Sequence, residues 1–289
     1  MKIIIIGGDS RQSEIGTRLA KEGNEVFTYA HGSDILGATP VKSLSDALAD
    51  SQVVLLPLPL TRDGIYINCP NSNEKPTIDE IIENVNESSL ILCGKASPSV
   101  RERLRSRHLK FRDYYESERF LRENSDITAE GAVALAMGEL DVTIKGTPFM
   151  IVGGGRLAKA LFSTLSALGA RVTFAARSPY DLKWAAALGA KALDLASDTD
   201  ELIAAINENR VIFNTVPKKV LPDWAFSSAR EDLIFIELAG DESLISPTLK
   251  ERGIFTVCAK ALPSKYAPRS ATSLLYDIIK EILDERKGK

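Results

Sequence analysis

The run Gly153-Gly154-Gly155-Arg156-Leu157-Ala158 has the spacing G-x-G-x-x-A and follows directly on the apolar stretch Pro148–Val152. That spacing serves the binding of a pyrophosphate. Gly153 permits a tight turn, Gly155 lets backbone approach the anion, and Ala158 lets the next helix pack closely on the strand while its N-terminus faces the negative charge. Residues 157–168 read as that helix, and Gly169-Ala170 opens a second strand, which is the context a dinucleotide site needs. Arg156 and Leu157 fall in the helix's first turn and complete the loop set. The second strand ends Phe174-Ala175-Ala176-Arg177-Ser178. An NAD site usually places Asp or Glu there for the ribose 2′-hydroxyl; Arg177 and Ser178 instead offer donors to a 2′-phosphate. NADP is therefore expected, with NAD as the alternative. Asn214-Thr215-Val216-Pro217 ends the fourth strand, where the chain passes the nicotinamide, and the small Ala239 and Gly240 at the next strand end allow close approach of the ring.

A second glycine loop, Gly7-Gly8-Asp9-Ser10-Arg11-Gln12, lacks the full spacing, and Asp9 would repel a pyrophosphate. Ser10, Arg11 and the helix N-terminus could instead take a small anionic substrate. Only two histidines and three scattered cysteines occur, so neither a metal site nor a Cys–His pair is expected. No nucleophile elbow or phosphate loop of the G-x-x-x-x-G-K-[ST] type is present.

These loops need strands and helices to hold them. The 289 residues are 44% hydrophobic and 26% charged with net charge −3, a balance that speaks against a general nucleic-acid surface. No apolar stretch approaches bilayer length, and Met1-Lys2 runs straight into a strand rather than a signal peptide, so a cytoplasmic setting without membrane is expected. Apolar runs at 2–6, 25–29, 52–56 and 89–93, then at 148–152, 171–175, 211–214, 233–238 and 255–258, alternate with helical patterns. Continuous apolar strands mean sheets covered on both faces. The fold class is α/β: two tandem Rossmann-like doubly wound parallel-sheet domains joined by hinge helices. Residues 1–127 form an N-terminal Rossmann-like substrate domain and 128–145 a hinge helix capped by Thr128. Residues 146–262 form the NAD(P)-binding domain, and 263–289 a C-terminal helix returning to the first domain, with the stripe Leu274, Leu275, Ile278, Ile279, Ile282 and Leu283. Residues 67–76 read as a surface loop. A homodimer is a further possibility.

Several stretches in order along nearly the whole chain resemble the A-type subunit of dipicolinate synthase, a sporulation enzyme. They are the loop at Gly7–Gln12, Thr128-Ala129-Glu130-Gly131-Ala132, Gly153-Gly154-Gly155-Arg156, Gly169-Ala170, Ala176-Arg177-Ser178, Asn214-Thr215-Val216-Pro217 and Leu262-Pro263-Ser264-Lys265-Tyr266-Ala267-Pro268. The resemblance implies a nicotinamide-dependent step from a dihydrodipicolinate-type ring to pyridine-2,6-dicarboxylate. It also implies a partner, the flavoprotein-like B-type subunit of dipicolinate synthase, and a place in the mother cell of a spore-former.

Aromatising such a ring removes a hydride and a proton from a small cyclic dicarboxylate, so cationic donors and a base must converge. Arg11, Lys95, Lys265 and Arg269 are the candidate cations, with Ser10 and Thr128 as further substrate contacts. Glu130, within the motif the resemblance picks out, is the candidate base, and Lys265 the second catalytic candidate. His31, after the second strand, could face the site, whereas His108 reads as structural. Two rival readings remain. One is a shikimate- or alanine-dehydrogenase-like enzyme acting on another small acid. The other is a non-catalytic nicotinamide-binding scaffold or sensor.

Overall fold

Each apolar run named above forms a parallel strand in the computed structural model, which describes residues 1–196 and 198–287. Contacts divide the chain into two units, Met1–Leu121 with the chain from Thr272 onward, and Arg122–Ala271.

The first unit contains β1 (Lys2–Ile6), α1 (Ser10–Lys21), β2 (Glu25–Tyr29), β3 (Ala38–Pro40), α2 (Leu44–Ala49), β4 (Val53–Leu55), α3 (Ile78–Asn84), β5 (Leu90–Cys93), α4 (Pro98–Ser106) and β6 (Lys110–Asp113). Its sheet runs β3-β2-β1-β4-β5-β6. Helix α5 (Glu118–Glu139) follows, and the division between the units falls inside it. The second unit holds β7 (Pro148–Val152), α6 (Arg156–Ala167), β8 (Arg171–Ala176), α7 (Pro179–Ala187), β9 (Lys191–Asp194), α8 (Thr199–Glu208), β10 (Val211–Asn214), β11 (Ile234–Glu237), α9 (Pro247–Glu251) and β12 (Phe255–Cys258). Its sheet runs β12-β11-β10-β7-β8-β9, the same doubly wound order. Short α10 (Leu262–Tyr266) leads into α11 (Pro268–Lys287), inside which the chain passes back to the first unit.

Why the central strands are apolar on both faces is plain at β7. Phe149 and Ile151 pack with Ala158, Leu161, Phe162 and Leu165 of α6, while Met150 and Val152 pack on the other side with Leu202, Ala205 and Ile206 of α8. In the first sheet Ile4 and Ile6 join α3 and α4 through Ile78, Ile81, Val100 and Leu104. On the opposite face Ile5 lies so close to Gly16 of α1 that a Cβ there would stand 2.7 Å from its Cδ1. Each such Leu, Ile, Val, Phe or Met side chain contributes roughly 1.5–3 kcal/mol on burial.

Three strands escape a sequence reading: β3, β6 and β9. All three are sheet edges and largely polar, with one face open, so no continuous apolar run marks them. The hinge helix also starts earlier than expected. Thr128 does not cap it but lies within α5, its hydroxyl donating to the Asn124 carbonyl at 2.5 Å. Of the expected surface loop 67–76, Ile67 and Asn68 are buried. In α11 the side chains of Leu274, Leu275, Ile278, Ile279 and Leu283 are buried, whereas Ile282 is half-buried.

Tyr114, just after β6, is fully buried, and its hydroxyl donates to the Leu56 carbonyl at 2.8 Å, tying the end of β4 to the sheet edge. Tyr114→Phe removes that donor without changing packing. We expect it to lower stability by about 1–2 kcal/mol, read as a reduced urea midpoint with unchanged slope; an unchanged midpoint would show that the bond adds nothing.

Candidate functional site

In a doubly wound sheet the crevice opens at the strand ends where the connections diverge, here between β7 and β10. The backbone leaves β7 through Gly153, which has φ +123° and donates to the Ala175 carbonyl at 2.8 Å. A side chain there would run into Thr215 Oγ1, which itself donates to the Val152 carbonyl at 2.8 Å. Glycine is therefore required at position 153 by both conformation and space. Gly155 is the N-cap of α6 and makes no side-chain capping bond, and a Cβ on Gly155 would meet nothing within 4 Å. Ala158 is completely buried against the sheet. The loop thus combines a helix N-terminus that Gly155 does not cap with an open approach, which is what an anionic diphosphate needs. Arg156 is exposed beside it and Leu157 is half-buried.

At the end of β8, Arg177 is exposed and forms no ion pair among the described residues. Ser178 caps α7, its Oγ accepting from the Asp181 N–H at 3.3 Å. Asp181 itself is bound by Lys159 at 2.7 Å, not by Arg177.

The far side of the crevice is held by a residue that the sequence reading did not single out. Glu237, the last residue of β11, is 0% exposed. Its carboxylate accepts from Asn214 Nδ2 at 2.5 Å and from the Ala239 N–H at 2.6 Å. Asn214 in turn donates to the Val216 carbonyl and accepts from the Val216 N–H, both at 3.2 Å. One buried carboxylate therefore fixes Asn214, Thr215, Val216 and Ala239, the residues expected along the nicotinamide, with Pro217 next in the chain. A Glu ending an apolar strand was the available signal, but Ile-Glu-Leu reads equally well as an exposed strand end. Burial pushes the Glu237 carboxyl up, outweighing the hydrogen bonds that favour its ionised form.

The first unit has the same architecture but closes the corresponding loop. The Gly8 N–H donates to the Asn68 carbonyl at 2.9 Å. Asp9 caps α1 by accepting from the Arg11 N–H, and Gln12 reaches back to the Asp9 N–H at 3.1 Å, forming a capping box. Arg11 folds onto Asp9 through two bonds, of 2.9 and 2.8 Å, and donates to the Leu58 carbonyl at 2.6 Å. Burial alone would raise the Asp9 carboxyl, but Arg11 holds it below the usual carboxylate range. Most of Arg11's hydrogen-bonding capacity is thus spent within the fold, whereas Ser10 remains exposed. His31 is buried, bonded to the Gly7 carbonyl at 2.8 Å and Ser13 Oγ at 2.7 Å, and serves this loop's structure. Lys95 is exposed with φ +59°, its ammonium 5.8 Å from the Tyr115 ring. The Lys95 and Ala96 N–H groups donate to Asp113, whose fully buried carboxylate pairs with Arg101 at 2.8 Å.

The remaining candidates, Glu130, Lys265 and Arg269, all belong to the second unit and are exposed. Gly131 brings the first two segments together, because a Cβ there would stand 3.1 Å from Leu262 Cβ. Glu130 and Lys265 make no ion pair with each other or with any other described residue, and the Lys265 ammonium lies 5.3 Å from the Tyr266 ring. Among the described residues no cluster of three or more His, Cys, Asp or Glu is placed to hold a metal ion, and no helix is long and apolar enough to cross a membrane.

Comparison with known proteins agrees with the fold. Residues 2–115 match the family model for the N-terminal domain of the A-type subunit of dipicolinate synthase. Over 290 aligned residues the chain is 26% identical to that same subunit from Bacillus subtilis (strain 168), covering 99% of this chain and 96% of that one. The crystal structure of the B. subtilis protein superposes with a TM-score of 0.84 at 24% identity, covering 100% and 97% of the two chains. That of its Bacillus halodurans counterpart gives 0.83 at 22% identity, covering 98% and 97%. An L-alanine dehydrogenase shares the fold, with a TM-score of 0.64 at 17% identity and coverage of 98% and 89%. The resemblance to this dipicolinate synthase component thus extends along the whole chain, on a doubly wound fold.

Since the folded Glu237 carboxyl titrates above its unfolded value of 4.5, the native state holds this proton more tightly than the unfolded chain. Its contribution is fully present below the unfolded value and is lost as pH rises towards the folded one. Glu237→Gln removes this component. Wild-type stability relative to the variant should fall as pH rises above about 4.5. Paired urea titrations across the acid range test this, and a pH-independent difference would contradict it.

Proposed function

We propose that this chain is an NADP-dependent oxidoreductase converting a dihydrodipicolinate-type ring to pyridine-2,6-dicarboxylate. The observation that carries the reading is the uncapped glycine loop at the start of α6, with the unpaired Arg177 at the end of β8, on a chain that resembles the A-type subunit of dipicolinate synthase throughout. The residues present suit the cofactor. Gly153, Gly155, Arg156, Leu157 and Ala158 would hold the diphosphate, and Arg177 with Ser178 a 2′-phosphate. Asn214, Thr215, Val216, Pro217 and Ala239 would line the nicotinamide side, held by Glu237. When bound, the nicotinamide accepts the hydride that the ring loses.

This chain's part is then to hold the substrate and take the proton. Glu130 is an exposed carboxylate with no ion-pair partner among the described residues, which suits it to act as base. Lys265 and Arg269, exposed at α10 and the start of α11, supply charge for a dicarboxylate, with Thr128 about one helical turn before the Gly131 that packs on α10. Ser10 and Lys95 are the accessible donors of the first unit; Arg11 could contribute only the hydrogen-bonding capacity that Asp9 and Leu58 leave over. The reading also implies a flavoprotein-like partner, the B-type subunit of dipicolinate synthase, together with a possible homodimer and a cytoplasmic role in the mother cell of a spore-forming bacterium.

The test supplies the purified chain with freshly generated product of dihydrodipicolinate synthase and either NADP or NAD, following reduced-nucleotide absorbance and identifying the product by mass. Dipicolinate formed preferentially with NADP is expected. Arg177→Glu should then shift the preference towards NAD by about tenfold or more. Nucleotide binding without turnover, persisting when the flavoprotein-like partner is present, would leave a nicotinamide-binding scaffold; turnover of another small acid instead would favour the alanine-dehydrogenase-like alternative.

A further inference from the structure

The strand β8 carries no acid at its end, yet the fold delivers one from α7. A Cβ on Gly154 would stand 2.5 Å from Asp181 Oδ2, so this carboxylate lies against the glycine loop itself. In a doubly wound dinucleotide site the adenosine ribose sits between that loop and the end of the second strand, and a carboxylate there accepts from the ribose hydroxyls while repelling a 2′-phosphate. Left ionised and unpaired, Asp181 would favour an unphosphorylated ribose.

It is not unpaired. Lys159, near the start of α6, binds Asp181 at 2.7 Å, and the pair is only partly accessible, with the Asp181 side chain 17% exposed. The ammonium is further restrained by two rings, lying 5.3 Å from Trp184 and 5.8 Å from Tyr180. Trp184 is anchored in turn by edge contacts with Phe162 and Phe174, at 5.4 and 5.8 Å between centroids. Lys159 is thus held over Asp181 by the packed side of α7, rather than swinging free. Asp181 also donates its N–H to Ser178, which fixes its helical turn relative to the end of β8. With the acid occupied, the guanidinium of Arg177 at the end of β8 is exposed and has no ion-pair partner among the described residues.

We propose that Lys159 determines the nucleotide preference by masking Asp181, so that Arg177 and Ser178 can recognise a 2′-phosphate. The inference rests on the nucleotide-binding reading above and goes beyond it, since it assigns the preference to an ion pair that bridges two helices. Lys159 is a positioning residue in this account: it acts through Asp181.

Calorimetric titration of the full chain with NADP and NAD, in the wild type, K159M, D181N and the K159M/D181N double variant, tests it without depending on turnover. The wild type should favour NADP. K159M should lose about tenfold of that preference, chiefly through weaker NADP binding, because a bare carboxylate now faces the 2′-phosphate. D181N should keep the preference, and the double variant should regain what K159M lost. A K159M preference within twofold of wild type overturns the inference while leaving the cofactor reading standing. So does a parallel loss of both nucleotides that D181N fails to rescue, which would make Lys159 a direct phosphate contact. A wild type that binds neither nucleotide overturns the cofactor reading and this inference with it.

Discussion

A helix that starts directly after a buried strand points its first N–H groups at the crevice of the sheet, and each must find an acceptor or be left for a ligand. The two units of this chain share one strand order and answer that requirement in opposite ways. In the first, Asp9, Gln12 and the Asn68 carbonyl take up the donors of the β1–α1 turn, and Arg11 neutralises the capping carboxylate. In the second, Gly155 contributes no side chain to cap the start of α6. The difference is a few side chains in a turn, yet it leaves one turn closed by its own capping box and the other without a side-chain cap.

The opposite wall of the second crevice obeys a related constraint. Asn214 lies at the end of β10 and Ala239 just beyond β11, and the Asn214 amide and the Ala239 N–H both need an acceptor in a dry region between the two strands. A single carboxylate, Glu237, accepts from both. Burying a carboxylate is costly in itself, which is why its proton affinity rises, but two short hydrogen bonds offset much of that cost and lock two loops together. An exposed polar side chain could not do the same, because water would compete for each donor.

The charged candidates divide on similar grounds. Arg11 and Asp113 are engaged inside the fold, where they hold turns, and Lys95 is left outside on a strained backbone that Asp113 secures. Glu130, Lys265, Arg269 and Arg177 lie on the surface of the second unit without ion-pair partners among the described residues. A charge spent on structure and a charge left exposed look identical in a sequence, since both are Arg, Lys, Asp or Glu.

What the chain's own order of residues determined is whatever depends on near neighbours. The G-x-G-x-x-A turn, the missing acid after β8, the central apolar strands and the doubly wound class all follow from local spacing and from the need to cover both faces of a sheet. The edge strands β3, β6 and β9 did not announce themselves, because they are short and largely polar, unlike the fourth edge, β12, whose apolar run was legible. The early start of α5 was hidden by its charged first turns. Only the tertiary structure decided that Asn68 closes the first loop, that Glu237 bridges two strand ends, and that Asp181 and Lys159 meet beside Gly154. Each of those is a contact between segments distant in the chain, made by packing helices onto a twisted sheet, and no periodicity within either segment encodes which polar group will face which.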